Sequence, residues 1–125
     1  MLDGIPLALP ALALAMKFQS RAARAGFDWD GGVEVAFADV EAELAELRDE
    51  PSEHELGDLL FAGVQVARRL NVDPEVALRS AVKRYGARFR QVEKLAGSAQ
   101  ALADADESQL NAWWTEAKQA ESASR

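Results

Sequence analysis

Residues 55–93, ELGDLLFAGVQVARRLNVDPEVALRSAVKRYGARFRQVE, decide the fold. Leu56, Leu59, Leu60, Gly63, Ala67 and Leu70 recur at steps of three and four, which places them on one helix face. Asn71 can stop that helix. Asp73 and Pro74 then restart one, as N-cap and first helical residue. The second helix is expected over residues 74–95, with Leu78, Ala81, Val82, Tyr85, Phe89 and Val92 as its apolar stripe. Gly97 ends it. No stretch alternates with the period of two that a half-buried strand needs.

The same reading extends outward. A first helix is expected over residues 9–25, closed by Gly26. The turn FDWDGG follows, and a second helix covers residues 33–48 with Val33, Phe37, Val40, Leu44 and Leu47 on one stripe. Pro51 breaks the chain, and Ser52 with Glu55 suggests a capping box for the third helix. Beyond a loop, Asp106 and Gln109 suggest the cap of a fifth helix bearing Leu110, Trp113, Trp114 and Ala117. The expected fold is all-α, a bundle of about five helices in one domain over residues 1–125, with residues 119–125 a frayed tail. A core this small invites dimerisation.

Composition narrows the function. The 125 residues are 49% hydrophobic and 28% charged, a globular balance. Having no Cys and one His excludes a disulfide scaffold, a thiolate zinc site and a His-clustered metal site. A net charge of −7 argues against general affinity for nucleic acid. The run LALPALALAM is too short to span a membrane and lacks the basic start of a signal peptide, so a soluble cytoplasmic protein is expected.

Charge is distributed unevenly. Twelve acidic residues lie between Asp28 and Asp58, where Arg48 is the only Lys or Arg. Asp39, Glu43, Glu46 and Glu50 share one helix stripe, and Glu55 and Asp58 stand three apart on the next helix. If the two helices pack antiparallel, Glu43 and Glu46 face Glu55 and Asp58. Four carboxylates without His or Cys make a hard-oxygen site suited to Mg²⁺ or Mn²⁺. The same spacing also suits a solvated acidic face. Arg79, Lys83, Arg84, Arg88, Arg90 and Lys94 crowd the fourth helix, and Lys17, Arg21 and Arg24 lie on the first. Such cations bind phosphate or serve solubility. Trp114 and Lys118, four apart, can address one ligand. Trp29 is a further stacking candidate, and His54 reads as a surface residue.

With these residues in view, the chain resembles the MazG family of nucleoside triphosphate pyrophosphohydrolases. Glu43-Leu44-Ala45-Glu46 followed by Glu55-Leu56-Gly57-Asp58 is similar to the family signature E-E-x-x-E … E-x-x-D. The likeness extends to IPLALPAL, to Lys17-Phe18-Gln19, to Gly26-Phe27-Asp28-Trp29, and to Trp114 with Lys118. It covers residues 2–118 and looks like a C-terminal MazG domain standing alone.

The resemblance implies an all-α homodimer that cleaves nucleoside triphosphates, with Mg²⁺, to monophosphate and pyrophosphate, and it suggests a house-cleaning role. Narrower relatives would act on dUTP or phosphoribosyl-ATP. A catalytically degenerate partner protein is the alternative of another class. By position, Glu43, Glu46, Glu55 and Asp58 would be metal ligands, with Glu46 and Glu43 catalytic. Arg84, Arg88, Trp114 and Lys118 would bind substrate, and Lys17, Arg21 and Arg24 are candidates for the same pocket. The chain departs from the family at Ala42 for the first Glu, at Asp39 for Lys, at Val82 for Asn, at Arg84 for Lys, and in a shorter spacer between Glu46 and Glu55.

Overall fold

A computed structural model describes residues 1–123 of the chain. The described residues form six helices and no strand: α1 Ala11–Arg24, α2 Gly32–Asp49, α3 Glu53–Arg69, α4 Pro74–Ala96, α5 Ala99–Asp104 and α6 Glu107–Ala123. The all-α expectation is met. The helices expected over residues 9–25, 33–48 and 74–95 fall within two residues of their observed bounds, and α5 is an addition. None of these helices is long and apolar enough to cross a membrane.

Local chemistry sets the ends. α1 closes in a left-handed turn: Gly26 has φ of +102°, and the Phe27 N–H donates to the Ala22 carbonyl at 3.0 Å. Asn71 closes α3 in the same way, with φ of +57° and the Val72 N–H donating to the Ala67 carbonyl at 2.9 Å. Asn tolerates that conformation better than a branched residue. Gly31 starts α2 at φ of +116°, where a Cβ would come 2.5 Å from Val35 Cγ2. Only glycine fits there without rearrangement. The Asp73 carboxylate caps α4, accepting the N–H groups of Glu75 and Val76 at 2.9 and 3.2 Å. Asp106 caps α6 by accepting from the Gln109 N–H at 2.8 Å. Helix α6 continues to Ala123, through most of the segment expected to fray; Ser124 and Arg125 lie outside the described residues.

The chain divides into two compact units, the first Met1–Leu78 and the second beginning at Arg79, within α4. In the first unit α3 packs on both α2 and α1. Ile5, Ala36, Ala62 and Val64 are buried there, together with Gln19, whose Nε2 donates to the Phe61 carbonyl at 3.0 Å. In the second unit Val92 of α4 and Ala117 of α6 are buried.

The expected apolar stripes are only partly core. Leu60 is 57% exposed, and Val82 and Tyr85 are 62% exposed; Leu56, Leu70, Leu78 and Phe89 are exposed as well. Periodicity identified these faces as apolar, but this chain alone does not bury them.

Candidate metal and nucleotide site

The carboxylates sit on the α2–α3 hairpin. Pro51 stops α2, and Ser52 Oγ accepts the Glu55 N–H at 3.1 Å, which fixes the first turn of α3. The capping box is thus half formed, through the Glu55 backbone. The Glu55 carboxylate instead joins those of Glu43 and Glu46, with one oxygen of each of the three within 4.8 Å of the others. Glu55, Asp58 and His54 form a second such group. His54 is exposed, yet its Nε2 lies 3.4 Å from Asp58 Oδ2, a proximity its sequence neighbours Glu53 and Glu55 do not disclose.

Glu43 Oε2 and Glu55 Oε2 are shut off from solvent, and neither accepts a hydrogen bond. Loss of hydration is the main cause that pushes the Glu43 carboxyl above the usual glutamate range, followed by repulsion from Glu46 and Asp58. Glu55 is pushed up by the same loss of hydration and by Glu46, against a lowering effect of His54. A donor set of carboxylate oxygens with shielded, unpartnered members fits a hard divalent cation. No bound partner of the cluster is needed to see that its charges are poorly relieved.

A second constellation holds the turn before α2. Asp28 accepts two hydrogen bonds from Arg68, at 2.8 and 3.1 Å, and one from Arg69 at 2.8 Å. Arg69 also donates to the Trp29 carbonyl, and the Trp29 N–H donates to Asp28 Oδ1 at 3.0 Å. The Arg68 guanidinium, ahead of Arg69, holds the Asp28 carboxyl below the usual aspartate range. Phe27 and Trp29 meet edge to face, 4.9 Å between centroids, and both stay exposed. This clamp escaped the sequence reading because forty residues separate its ends. Asp39 lines a small cleft beside it with Arg68 and Arg69.

The expected phosphate and base residues of α4 and α6 belong to the second unit. Arg88 pairs with Glu121, Nε to Oε2 at 2.5 Å, and its guanidinium lies 5.8 Å from the centroid of the Trp114 ring. Trp114 also packs on Tyr85 at 5.5 Å between centroids. The structure therefore brings Arg88 and Trp114 together, leaves Arg84 and Lys118 exposed, and adds Glu121, which no local pattern announced. Lys17, Arg21 and Arg24 line a cavity of about 420 Å³ between α1 and the α3–α4 turn. None of the four site carboxylates lines that cavity.

No protein-family model matches the chain. Curated relatives do. The chain is 43% identical over 91 residues to the nucleoside triphosphate pyrophosphohydrolase/pyrophosphatase MazG of Thermotoga maritima, covering 70% of this chain and 35% of that protein. It is 43% identical over 102 residues to the nucleoside triphosphate pyrophosphohydrolase of Escherichia coli K12, covering 75% of this chain and 39% of that protein. It is 38% identical over 129 residues to the uncharacterized protein YabN of Bacillus subtilis, covering 97% of this chain and 26% of that protein. The chain thus spans little more than a third of the curated pyrophosphohydrolases it matches. With its two-helix carboxylate cluster and its sequence identity agreeing, the chain belongs to the MazG family.

Proposed function

We propose that the chain is a Mg²⁺-dependent nucleoside triphosphate pyrophosphohydrolase, converting a nucleoside triphosphate and water to the monophosphate and pyrophosphate. The observation that carries this reading is the convergence of Glu43, Glu46 and Glu55 within 4.8 Å, with shielded oxygens on Glu43 and Glu55. The names of the Thermotoga and Escherichia relatives supply the reaction class.

Glu43, Glu46, Glu55 and Asp58 would hold the cation, Mg²⁺ or alternatively Mn²⁺. When bound, it would polarise the phosphate chain and lower the pKa of the attacking water. Glu46, the most exposed of the converging three, is assigned to accept a proton from that water. Arg84, Arg88 and Lys118 are assigned to the phosphate chain, where their charge offsets that gathering on departing pyrophosphate. Trp114 offers a face for the base; Trp29, held by the Asp28 clamp, offers another.

The protein is proposed to act as a homodimer in the cytoplasm. The exposed side chains of Leu56 and Leu60 in the first unit, and those of Val82 and Tyr85 in the second, give each unit apolar surface suited to a second copy. Removal of aberrant nucleotides, a house-cleaning role, is the cellular task this chemistry suits.

Phosphorus NMR of products from a nucleotide panel tests the reading. Pyrophosphate with monophosphate is expected with Mg²⁺ and not with chelator. Glu43→Gln and Asp58→Asn should each abolish turnover while the helical circular dichroism stays unchanged. Diphosphate with inorganic phosphate would refute the reaction class. Full activity in either variant would refute the site. No turnover of any nucleotide would favour a degenerate partner protein.

A further inference from the structure

We propose that the α1 cavity is a second anion site, separate from the carboxylate cluster, for the phosphoanhydride chain of a small molecule. The argument begins with sequence. Residues 4–27 contain no Asp or Glu, while Lys17, Arg21 and Arg24 fall at steps of four and three on one face of α1. Cations so spaced repel one another, and α1 itself carries no Asp or Glu to offset them. In a chain of net charge −7, that concentration is not a general solubility device.

The three cations converge on one wall of the 420 Å³ cavity. That volume lies within the range of about 300–1,000 Å³ usual for small-molecule sites. Asp73 is the only acid lining it, and one oxygen of its carboxylate already caps α4. The half-buried Arg21 guanidinium is fixed in place by the carbonyls of Met1 and Asp3, each at 3.2 Å, through one nitrogen, Nη1. Its remaining N–H groups are left to address a ligand. Among the described residues, Lys17 and Arg24 take part in no ion pair. Attraction to the carboxyl end of α1 accounts for Arg21 and Arg24 in the last turn, but not for Lys17 or for the cavity.

The ligand class follows from the lining. Guanidinium groups grip phosphate oxygens in a fork, and an ammonium beside them adds charge without geometry. A row of three cations suits a chain of linked phosphates better than a lone carboxylate. The lining also includes Met16 of α1 and Val72, apolar surface on which a nucleoside could rest. Inorganic pyrophosphate and a nucleoside diphosphate share this chemistry. The site does not depend on the proposed hydrolysis, and its test excludes the metal.

The experiment is amide NMR of the full ¹⁵N-labelled chain in chelator, titrated separately with inorganic pyrophosphate and with ADP. Both should shift the amides of Lys17, Ser20, Arg21 and Asn71, with affinity falling as salt rises. If ADP binds about tenfold more tightly, the apolar wall holds a nucleoside; equal affinities assign the site to the phosphate chain alone. Lys17→Ala with Arg24→Ala should weaken binding at least about tenfold, and Lys17→Gln serves if the double variant does not fold. Glu43→Gln should leave the affinity unchanged. Shifts confined to Arg84, Arg88 and Lys118, or no shift up to about 10 mM ligand, would overturn the proposal, as would unchanged binding in the α1 variants. Loss of turnover with these shifts intact would instead count against the hydrolase reading alone.

Discussion

Replacing Asp28 by alanine probes the clamp that fixes the turn before α2. The substitution removes three hydrogen bonds from Arg68 and Arg69 and one from the Trp29 N–H. It also leaves two adjacent guanidinium groups facing each other with side chains only 14% and 16% exposed. A fully exposed ion pair is worth about 0.2–1 kcal/mol. A hydrogen bond to a charged group reaches about 1.5–3 kcal/mol when well shielded. Asp28 is 31% exposed and divides Oδ1 among its partners, so the sum is discounted to about 2 kcal/mol. For a chain between the small and medium size classes, that is a fall in Tm of about 6–10 °C. Urea unfolding at fixed protomer concentration is the assay, with the midpoint lower and the slope unchanged. The sign with pH is determined. A carboxyl held below its usual range stabilises the fold fully above the unfolded pKa, and that stability is lost as pH falls through the folded value. The gap between wild type and Asp28→Ala should therefore close below about pH 4. A loss under about 0.5 kcal/mol at neutral pH would refute the argument, because the clamp would then act as an ordinary surface pair.

Three further outcomes are expected. Gly31→Ala should cost about 2 kcal/mol or more in urea unfolding, since it forces a side chain into a left-handed residue with its Cβ 2.5 Å from Val35 Cγ2. In chelator, the raised Glu43 and Glu55 carboxyls make the folded state bind more protons than the unfolded one, so Tm should fall as pH rises above the usual glutamate range. Mg²⁺ should restore Tm at neutral pH, and Glu43→Gln should flatten the pH profile and blunt the Mg²⁺ response, both read by calorimetry. Glu121→Gln should weaken the hold on Arg88 and lower KM for nucleotide about two- to fivefold, with kcat little changed, in steady-state pyrophosphate release.

Features with a local cause were legible before the structure. The caps at Ser52, Asp73 and Asp106 follow from side chains reaching amides two or three residues ahead, and all three form. The acidic site was legible because its members lie on consecutive helices joined by a short turn. Helix α5 was not. Its six residues are too few to show a period, although Ser98 Oγ accepting the Ala101 N–H at 3.0 Å left a trace in the sequence. The Arg68–Asp28 and Arg88–Glu121 pairs were out of reach for another reason. Tertiary packing brings together residues 40 and 33 positions apart, and any of several cations had the right charge. The apolar stripes of α3 and α4 show the converse limit: period identifies a face but not what covers it.

The departures from the family pattern bear on different parts of the site. Ala42 is exposed and precedes Glu43 by one position, about 100° around the helix. It also stands one turn before Glu46, about 40° from it around the helix, so a carboxylate there would flank the group made by Glu43, Glu46 and Glu55, which converges without it. Val82 is exposed on α4, in the other unit, where an apolar side chain offers substrate no hydrogen bond. Ala42 therefore bears on the charge beside the carboxylate group, and Val82 on what α4 can offer a ligand. The remaining alternative, a solvated acidic face, makes a different demand. Its carboxylates would all turn to water, the cheapest way to separate like charges in a stretch, residues 28–58, whose only Lys or Arg is Arg48. Glu43 and Glu55 each withdraw an oxygen from water with no donor to receive it, and repulsion from Glu46 adds to the cost. Such an arrangement opposes folding unless a cation offsets it, and that asymmetry is what favours the proposed cation site over a solvated face.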